Sequence, residues 1–127
     1  MNADQRRLDE ITERVIGCSH TVSNALGCGF LEKVYENALA HELMKAGLKV
    51  EQQKEIVVRY DGRVVGEYVC DLLVEKSVLV ELKAVKALDD VHFAQCMNYL
   101  RATELQVLLL INFGQPRVNV KRLVNHF

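Results

Sequence analysis

The sequence predicts a mixed α/β (α+β) fold, in which a single mixed β-sheet of four to five strands is flanked by helices. Apolar residues first recur every three or four positions, which is typical of amphipathic helices. Short runs rich in β-branched residues follow, and an Asp-Gly pair between two of them signals a hairpin. The last third then alternates strand, helix and strand, which is typical of a right-handed parallel crossover. We expect residues 1–127 to form one domain.

The first two elements are predicted to be helices. Apolar side chains one turn apart indicate a first helix of about five turns, namely Leu8, Ile11, Val15, Cys18 and Val22. The Gly-Cys-Gly sequence at residues 27–29 interrupts this pattern. A second helical stripe runs through residues 30–43 and should end at Gly47, because glycine favours the backbone conformation of a helix C-terminus.

Three strands are predicted next, at residues 50–60, 64–75 and 78–84, with Asp61-Gly62 as the turn between the first two. The third helix should begin near residues 87–90, where Asp89 and Asp90 offer an N-cap, and should end near Thr103.

Two further segments complete the predicted sheet. Residues 105–113 form an apolar run that fits a buried strand, and Gly-Gln-Pro at 114–116 ends it. Residues 118–123 fit either a short edge strand or a loose helix, and the sequence leaves that choice open.

Composition excludes several classes of protein. Half of the 127 residues are hydrophobic and 26% are charged, which is a globular composition. No apolar stretch approaches the length needed to span a membrane, and no signal-peptide pattern is present, so we expect a cytoplasmic protein. The net charge of −1 argues against a protein that coats nucleic acid through a global positive field. The four cysteines match no zinc pattern, and we interpret them as free thiols in a reducing compartment.

Three charged residues lie in two adjacent strands that are otherwise apolar. These are Asp71 in the second predicted strand and Glu81 and Lys83 in the third. A charge inside a buried strand costs several kcal/mol unless another group compensates it, and two carboxylates are best compensated by a divalent cation. Oxygen ligands favour Mg²⁺ or Mn²⁺. An ordinary salt bridge from Lys83 is the alternative, but it would leave one carboxylate unpaired.

The metal-site hypothesis depends on the register of the hairpin. Glu81 and Lys83 point to one face because they are two residues apart in a strand. A three-residue loop at 75–77 would place Asp71 opposite Glu81, whereas a two-residue loop would place it opposite Leu82. An odd-length loop or a bulge is therefore required.

Four motifs, spaced along the chain, together resemble the PD-(D/E)XK nuclease superfamily. An acidic residue on one strand is followed by Glu-x-Lys on the next. Residues 29–35, Gly-Phe-Leu-Glu-Lys-Val-Tyr, match the motif of a small family in it, the GxxExxY proteins. Residues 95–99 resemble the QxxxY motif of the exonuclease-like branch, and 109–114 its last core strand. The resemblance covers roughly residues 8–122, and it departs from the motif at Cys70, where the superfamily name has proline.

The resemblance implies a restriction-endonuclease-like αβββαβ core and a Mg²⁺- or Mn²⁺-dependent nuclease that hydrolyses phosphodiester bonds. Asp71, Glu81, Glu32 and the backbone carbonyl of Leu82 would hold the metal, and Lys83 would act on the attacking water and the scissile phosphate. DNA is favoured over RNA as the substrate, and a protein partner or a homo-oligomer is left open. The alternative is a catalytically silent module that binds nucleic acid or protein, since a fold alone does not fix activity.

Three further residues are implied to line the site: Gln95, Tyr99 and Tyr35. Gln95 and Tyr99 are four residues apart and therefore share one helix face. Packing is an equally good interpretation for this pair, and for Tyr35 we favour packing in the core over a role at the site.

Overall fold

The computed structural model describes residues 2–125. Within them, three helices and five strands occur in the predicted order. The bounds are α1 Ala3–Leu26, α2 Glu32–Lys45, β1 Val50–Tyr60, β2 Arg63–Val74, β3 Val78–Lys83, α3 Asp90–Thr103, β4 Val107–Asn112 and β5 Asn119–Val124. The strands form one mixed sheet in the order β1-β2-β3-β4-β5, which confirms the predicted fold class.

The helices begin and end at residues whose chemistry explains their bounds. The Asn2 side chain caps α1 by accepting a hydrogen bond from the Gln5 backbone N–H at 2.8 Å. Gly27 ends that helix with a positive φ of 68°, which glycine adopts without strain. Asp89 caps α3 as predicted, and its side chain accepts hydrogen bonds from the Val91 and His92 backbone N–H groups.

The sheet is antiparallel except where β3 pairs with β4, and α3 forms the connection between those two parallel strands. The predicted crossover is therefore confirmed as a parallel one. The Asp61-Gly62 turn joins β1 to β2, and both residues have the positive φ values of a tight hairpin, 53° and 76°. The tail forms an edge strand, β5, antiparallel to β4, and not a loose helix.

The core has two layers, one on each face of the sheet. Helices α1 and α2 cover one face through apolar side chains such as Val15, Leu39 and Leu43, which pack on Val80 and Leu109. Helix α3 covers the other face, where Cys96, Tyr99 and Leu100 pack with Leu79 and Leu108. Strands β3 and β4 lie between the layers, which explains why both are apolar except for Glu81, Lys83 and Asn112. No helix in residues 2–125 is long and apolar enough to cross a membrane.

Candidate active site

The β2–β3 hairpin brings the two predicted carboxylates to one place. Val74 pairs with Val78, and the Ser77 backbone N–H donates to the Val74 carbonyl at 3.0 Å, so the loop has three residues as the metal-site hypothesis required. Regular pairing ends at the Leu72–Val80 pair. The strands diverge at the next position, where the register sets Asp71 against Glu81.

Side chains replace the backbone hydrogen bonds where the two strands diverge. The Asp71 backbone N–H donates to Glu81 Oε1 at 3.2 Å, and the Leu82 backbone N–H donates to Asp71 Oδ2 at 2.7 Å. The two carboxyl groups also lie within hydrogen-bonding reach of each other. Each carboxylate therefore accepts a hydrogen bond from the backbone of the strand that carries the other carboxylate. These backbone donors fix the position of the pair.

Burial makes this carboxyl pair difficult to ionise. Glu81 is only 7% exposed, and burial together with the nearby Asp71 charge raises the pKa of its carboxyl group to about 8. Burial also raises the pKa of Asp71. On the α3 side, burial raises the pKa of the Tyr99 hydroxyl and the Cys96 thiol to about 12, and the Glu81 charge contributes to both. A cation at this point would relieve the repulsion between the two carboxylates.

Lys83 is the partly buried last residue of β3. Its positive charge opposes the rise that burial causes in the pKa values of Asp71 and Glu81. Among the ion pairs found in residues 2–125, with N···O distances up to 4.0 Å, none includes Lys83. The ordinary salt bridge considered from the sequence does not form, so the ammonium group is not committed to either carboxylate.

A third carboxylate near this pair is Glu36, which the sequence did not single out. Glu36 is buried in α2, and its carboxylate accepts hydrogen bonds from Gln52, Gln53 and Lys33 at 2.7, 2.7 and 3.0 Å. The Gln53 side-chain amide also reaches Asp71 Oδ1 at 3.5 Å and so connects the two acidic groups. Gln53 has a positive φ of 55°, a strained conformation of the kind that concentrates at functional sites.

Glu32, the predicted acidic residue of this helix, is the first residue of α2 and is exposed. It lies one helical turn before Glu36, on the same side of the helix. Its role as a metal ligand stays a prediction. The motif marks Glu32 and not Glu36, and the sequence holds only a weak signal for Glu36, its i+4 spacing from Glu32 beside Tyr35.

The remaining predicted residues lie in two different environments. Tyr35 has no exposed surface; its hydroxyl donates to the Gly27 carbonyl at 2.7 Å, and its ring stacks on Phe113 at 4.7 Å. It therefore anchors the loop before α2 in the core, as the packing interpretation held, and it has no surface with which to line the site. Gln95 and Tyr99 are joined by a hydrogen bond from the amide to the hydroxyl, and they lie on the Glu81 side of α3.

The acidic pair supplies two carboxylates that could hold a divalent ion. Residues 2–125 contain no group of three or more His, Cys, Asp or Glu side chains placed to hold a metal. Mg²⁺ commonly binds through one or two carboxylates and takes its other ligands from water and substrate phosphates. Asp71 and Glu81 supply that minimum.

The raised pKa of Glu81 predicts how stability depends on pH without divalent ions. The folded state holds a proton on Glu81 up to about pH 8, whereas the unfolded chain releases it near the ordinary value of 4.5. The folding stability that depends on protonated Glu81 is therefore fully present below about pH 4.5, and it is lost as the pH rises to about 8. We expect Glu81→Gln, which mimics the protonated form, to be more stable than the unchanged protein at pH 8, on the order of a few kcal/mol, and nearly equal at pH 4.5.

Urea unfolding of both proteins in EDTA at the two pH values measures this difference. The exposed Glu67→Gln variant, on the same strand as Asp71, serves as the control and should show no such dependence. Equal stabilities of Glu81→Gln and the unchanged protein at pH 8 would contradict the assignment of a strained, buried carboxylate.

The comparisons with known proteins agree with this architecture. The chain is similar to the protein in the crystal structure of SSO0001, with a TM-score of 0.59 and 19% sequence identity over 96% of this chain and 61% of that one. At that identity the likeness concerns the fold alone, and the chain spans less than two thirds of that protein. No curated protein sequence matches the chain. The model of the PD-(D/E)XK nuclease superfamily matches residues 9–123, and the chain therefore belongs to that superfamily.

Proposed function

We propose that this protein is a metal-dependent nuclease of the GxxExxY type, which hydrolyses phosphodiester bonds in nucleic acid. The observation that carries the proposal is the juxtaposition of the Asp71 and Glu81 carboxyl groups where β2 and β3 diverge, with the unpaired Lys83 ammonium two residues further along. Buried carboxylates whose pKa is raised by burial and by a neighbouring charge are typical of functional sites.

The chain's own residues suggest how the reaction would be supported. Asp71 and Glu81 would hold Mg²⁺ or Mn²⁺, with the Leu82 carbonyl and Glu32 as further ligands. The bound ion would stabilise negative charge on the phosphoryl oxygens. Lys83 would orient the attacking water and donate to the developing charge at the scissile phosphate. Glu36 would keep Asp71 in place through Gln53, as its hydrogen bonds indicate.

The superfamily membership supports a nucleic-acid substrate, and we favour DNA over RNA. We also propose that the protein works in the cytoplasm; the four cysteines are free, as a reducing compartment requires. A partner protein or self-association could supply affinity for the substrate, because the net charge of −1 supplies little.

A catalytically silent binding module is the second candidate function. Two observations favour it: within residues 2–125 no third acidic group is placed to bind a metal together with Asp71 and Glu81, and the predicted third ligand, Glu32, is exposed. The two candidates differ in what the acidic pair does. A nuclease needs it to bind a cation, whereas a silent module does not.

Titration calorimetry with Mn²⁺ tests the acidic pair directly. We expect one site whose heat is lost in Asp71→Ala and in Glu81→Ala, because each variant removes one of the two anionic ligands. Glu67→Ala on the exposed part of β2 is the matched control and should bind Mn²⁺ as the unchanged protein does. If both site variants bind as well as Glu67→Ala, the metal site lies elsewhere and the proposed function loses its support.

A further inference from the structure

A groove lies between α3 and the outer part of the β1–β2 hairpin. Beyond the Leu72–Val80 pair, β2 is paired only with β1, so residues 55–69 form a two-stranded ribbon that leans on α3. The groove between ribbon and helix consists of two adjoining cavities of about 260 and 750 Å³. The two cavities share four lining residues: Val58, Tyr68, Asn98 and Ala102.

The inner end of the groove is lined by Gln95 and Tyr99. Tyr99 belongs to the same buried cluster as Cys70, the residue before Asp71, so this end is the one nearer to the acidic pair. The outer end is lined by Arg59 and Arg101, opposed by one carboxylate, Glu104. A chain of phosphates lying in the groove would therefore meet positive charge at the outer end, while its inner end would lie at Gln95 and Tyr99, on the side nearer to the acidic pair.

Tyr68 provides an aromatic surface midway along the groove. Its ring tilts against Tyr99, with centroids 5.9 Å apart and planes at 51°, yet the residue remains 49% exposed. The exposed part of this ring is available for a further contact, and Tyr68, unlike the more exposed Tyr60, lines the groove. Base stacking on such a ring is worth roughly 1–3 kcal/mol per base and does not depend strongly on sequence.

Gly66 keeps the space beside Tyr68 open. Its φ lies outside the positive range, so the backbone does not require glycine. A Cβ at this position would meet the Tyr68 ring at 3.5 Å and the Val58 Cβ at 3.7 Å, which are ordinary contacts. There is thus space for a Cβ at this position. A glycine inside a strand often marks a bulge or close approach by a ligand. The β1–β2 pairing shifts by one residue beside Gly66, and the missing side chain also leaves the groove unfilled.

We propose that this groove binds a single, unpaired strand of nucleic acid and guides it to the acidic pair. One base would stack on Tyr68, Asn98 would offer its amide to a base edge, and Arg59 and Arg101 would contact phosphates. The strand must be unpaired, because the faces of bases in a duplex are covered by their neighbours and cannot stack on a protein ring. The groove would supply the substrate to the proposed nuclease site, so the inference that the strand leads to the acidic pair rests on the proposed nuclease function.

Fluorescence anisotropy in EDTA tests the groove without cleavage, using the full chain and labelled 12-nucleotide single-stranded DNA, single-stranded RNA and duplex DNA. We expect single strands to bind more tightly than the duplex. Tyr68→Ala should weaken single-strand binding roughly 5- to 100-fold, as the loss of one stacked base implies. Tyr60→Ala is the matched control, since Tyr60 is 66% exposed at the ribbon tip and does not line the groove; it should have no effect.

Gly66→Val separates binding from stability. Valine favours strands, so the variant should be at least as stable to urea as the unchanged protein while binding single strands at least fivefold more weakly. The smaller Gly66→Ala variant is measured as well and replaces it if valine disturbs the ribbon. Arg59→Ala and Arg101→Ala should each lower the slope of log affinity against log salt by about 0.7, the value for one phosphate contact on a single strand.

Tighter binding of the duplex, or equal effects of Tyr68→Ala and Tyr60→Ala, would overturn the proposal. The outcomes also separate it from the proposed nuclease function. Single-strand binding that depends on Tyr68, with no cleavage under any metal, would leave the groove in place and remove the enzyme. Cleavage that is unaffected by Tyr68→Ala and Gly66→Val would keep the enzyme and remove the groove.

Discussion

Lys83→Ala should abolish cleavage and leave Mn²⁺ binding almost unchanged. An ammonium group has no lone pair with which to bind a metal, so the ground-state site stays intact. Its contribution falls on the charge that develops at the scissile phosphate, and the loss of a comparable donor lowers kcat by roughly 10²–10³. The structure strengthens this expectation, because Lys83 forms no ion pair among residues 2–125 and its removal leaves no buried carboxylate newly unpaired.

The measurement compares cleavage of single- and double-stranded DNA and RNA, with Mg²⁺ and with Mn²⁺. Lys83→Arg should rescue cleavage poorly, since a guanidinium group keeps its charge but has a different shape and does not release its proton. Lys86→Ala, three residues along and exposed, is the control and should retain activity. Activity of Lys83→Ala equal to that of the unchanged protein would show that the reaction occurs elsewhere or comes from a contaminant. No cleavage by the unchanged protein would favour the silent binding module.

Most of the fold was predictable because its local signals agree with one another. The helix spacing at Leu8, Ile11 and Val15, the Asp61-Gly62 turn and the Asp89 cap each specify one element without help from the rest of the chain. The hairpin loop at residues 75–77 was predictable for a different reason. Asp71 can face Glu81 only if the loop has an odd length or a strand contains a bulge, and the structure has the three-residue loop.

The third carboxylate was not predictable from motif spacing. The motif in residues 29–35 points to Glu32, but α2 begins at Glu32 and presents the next turn, with Glu36, to β1. What selects Glu36 is a set of contacts with Gln52 and Gln53, residues separated from it by 16 and 17 positions. Gln53 also has a positive φ of 55°, which nothing in its local sequence indicates.

The segment that follows Lys83 is held by a single buried side chain. Asn112 Oδ1 accepts hydrogen bonds from the backbone N–H groups of Val85 and Gly114, both at 3.0 Å, and its Nδ2 donates to the Val85 carbonyl at 2.9 Å. The Phe113 backbone N–H also donates to the Lys83 carbonyl at 2.8 Å. These bonds tie the end of β4 to the chain that carries Lys83, so the lysine is positioned by the backbone around it.

Gly114→Ala should therefore be severely destabilising. An added Cβ would lie closer than 3.0 Å to the backbone N, C and O atoms of Val85, and Val85 cannot move away without breaking its two hydrogen bonds to Asn112. Overpacking of this kind costs about 1–3 kcal/mol, and each buried polar group left unpaired adds about 1–3 kcal/mol. We expect a loss of about 3 kcal/mol or more in urea unfolding.

Gly17→Ala is the matched control and should have the opposite sign. Gly17 lies inside α1, where an added Cβ meets nothing within 4 Å, so alanine should stabilise the helix by about 1 kcal/mol. A Gly114→Ala protein as stable as the unchanged one would mean that the Val85 segment yields easily, and Lys83 would then not be rigidly held. If Gly114→Ala folds but is less stable, its cleavage rate should fall more than its Mn²⁺ affinity, because the displaced residue is Lys83 and not the carboxylates.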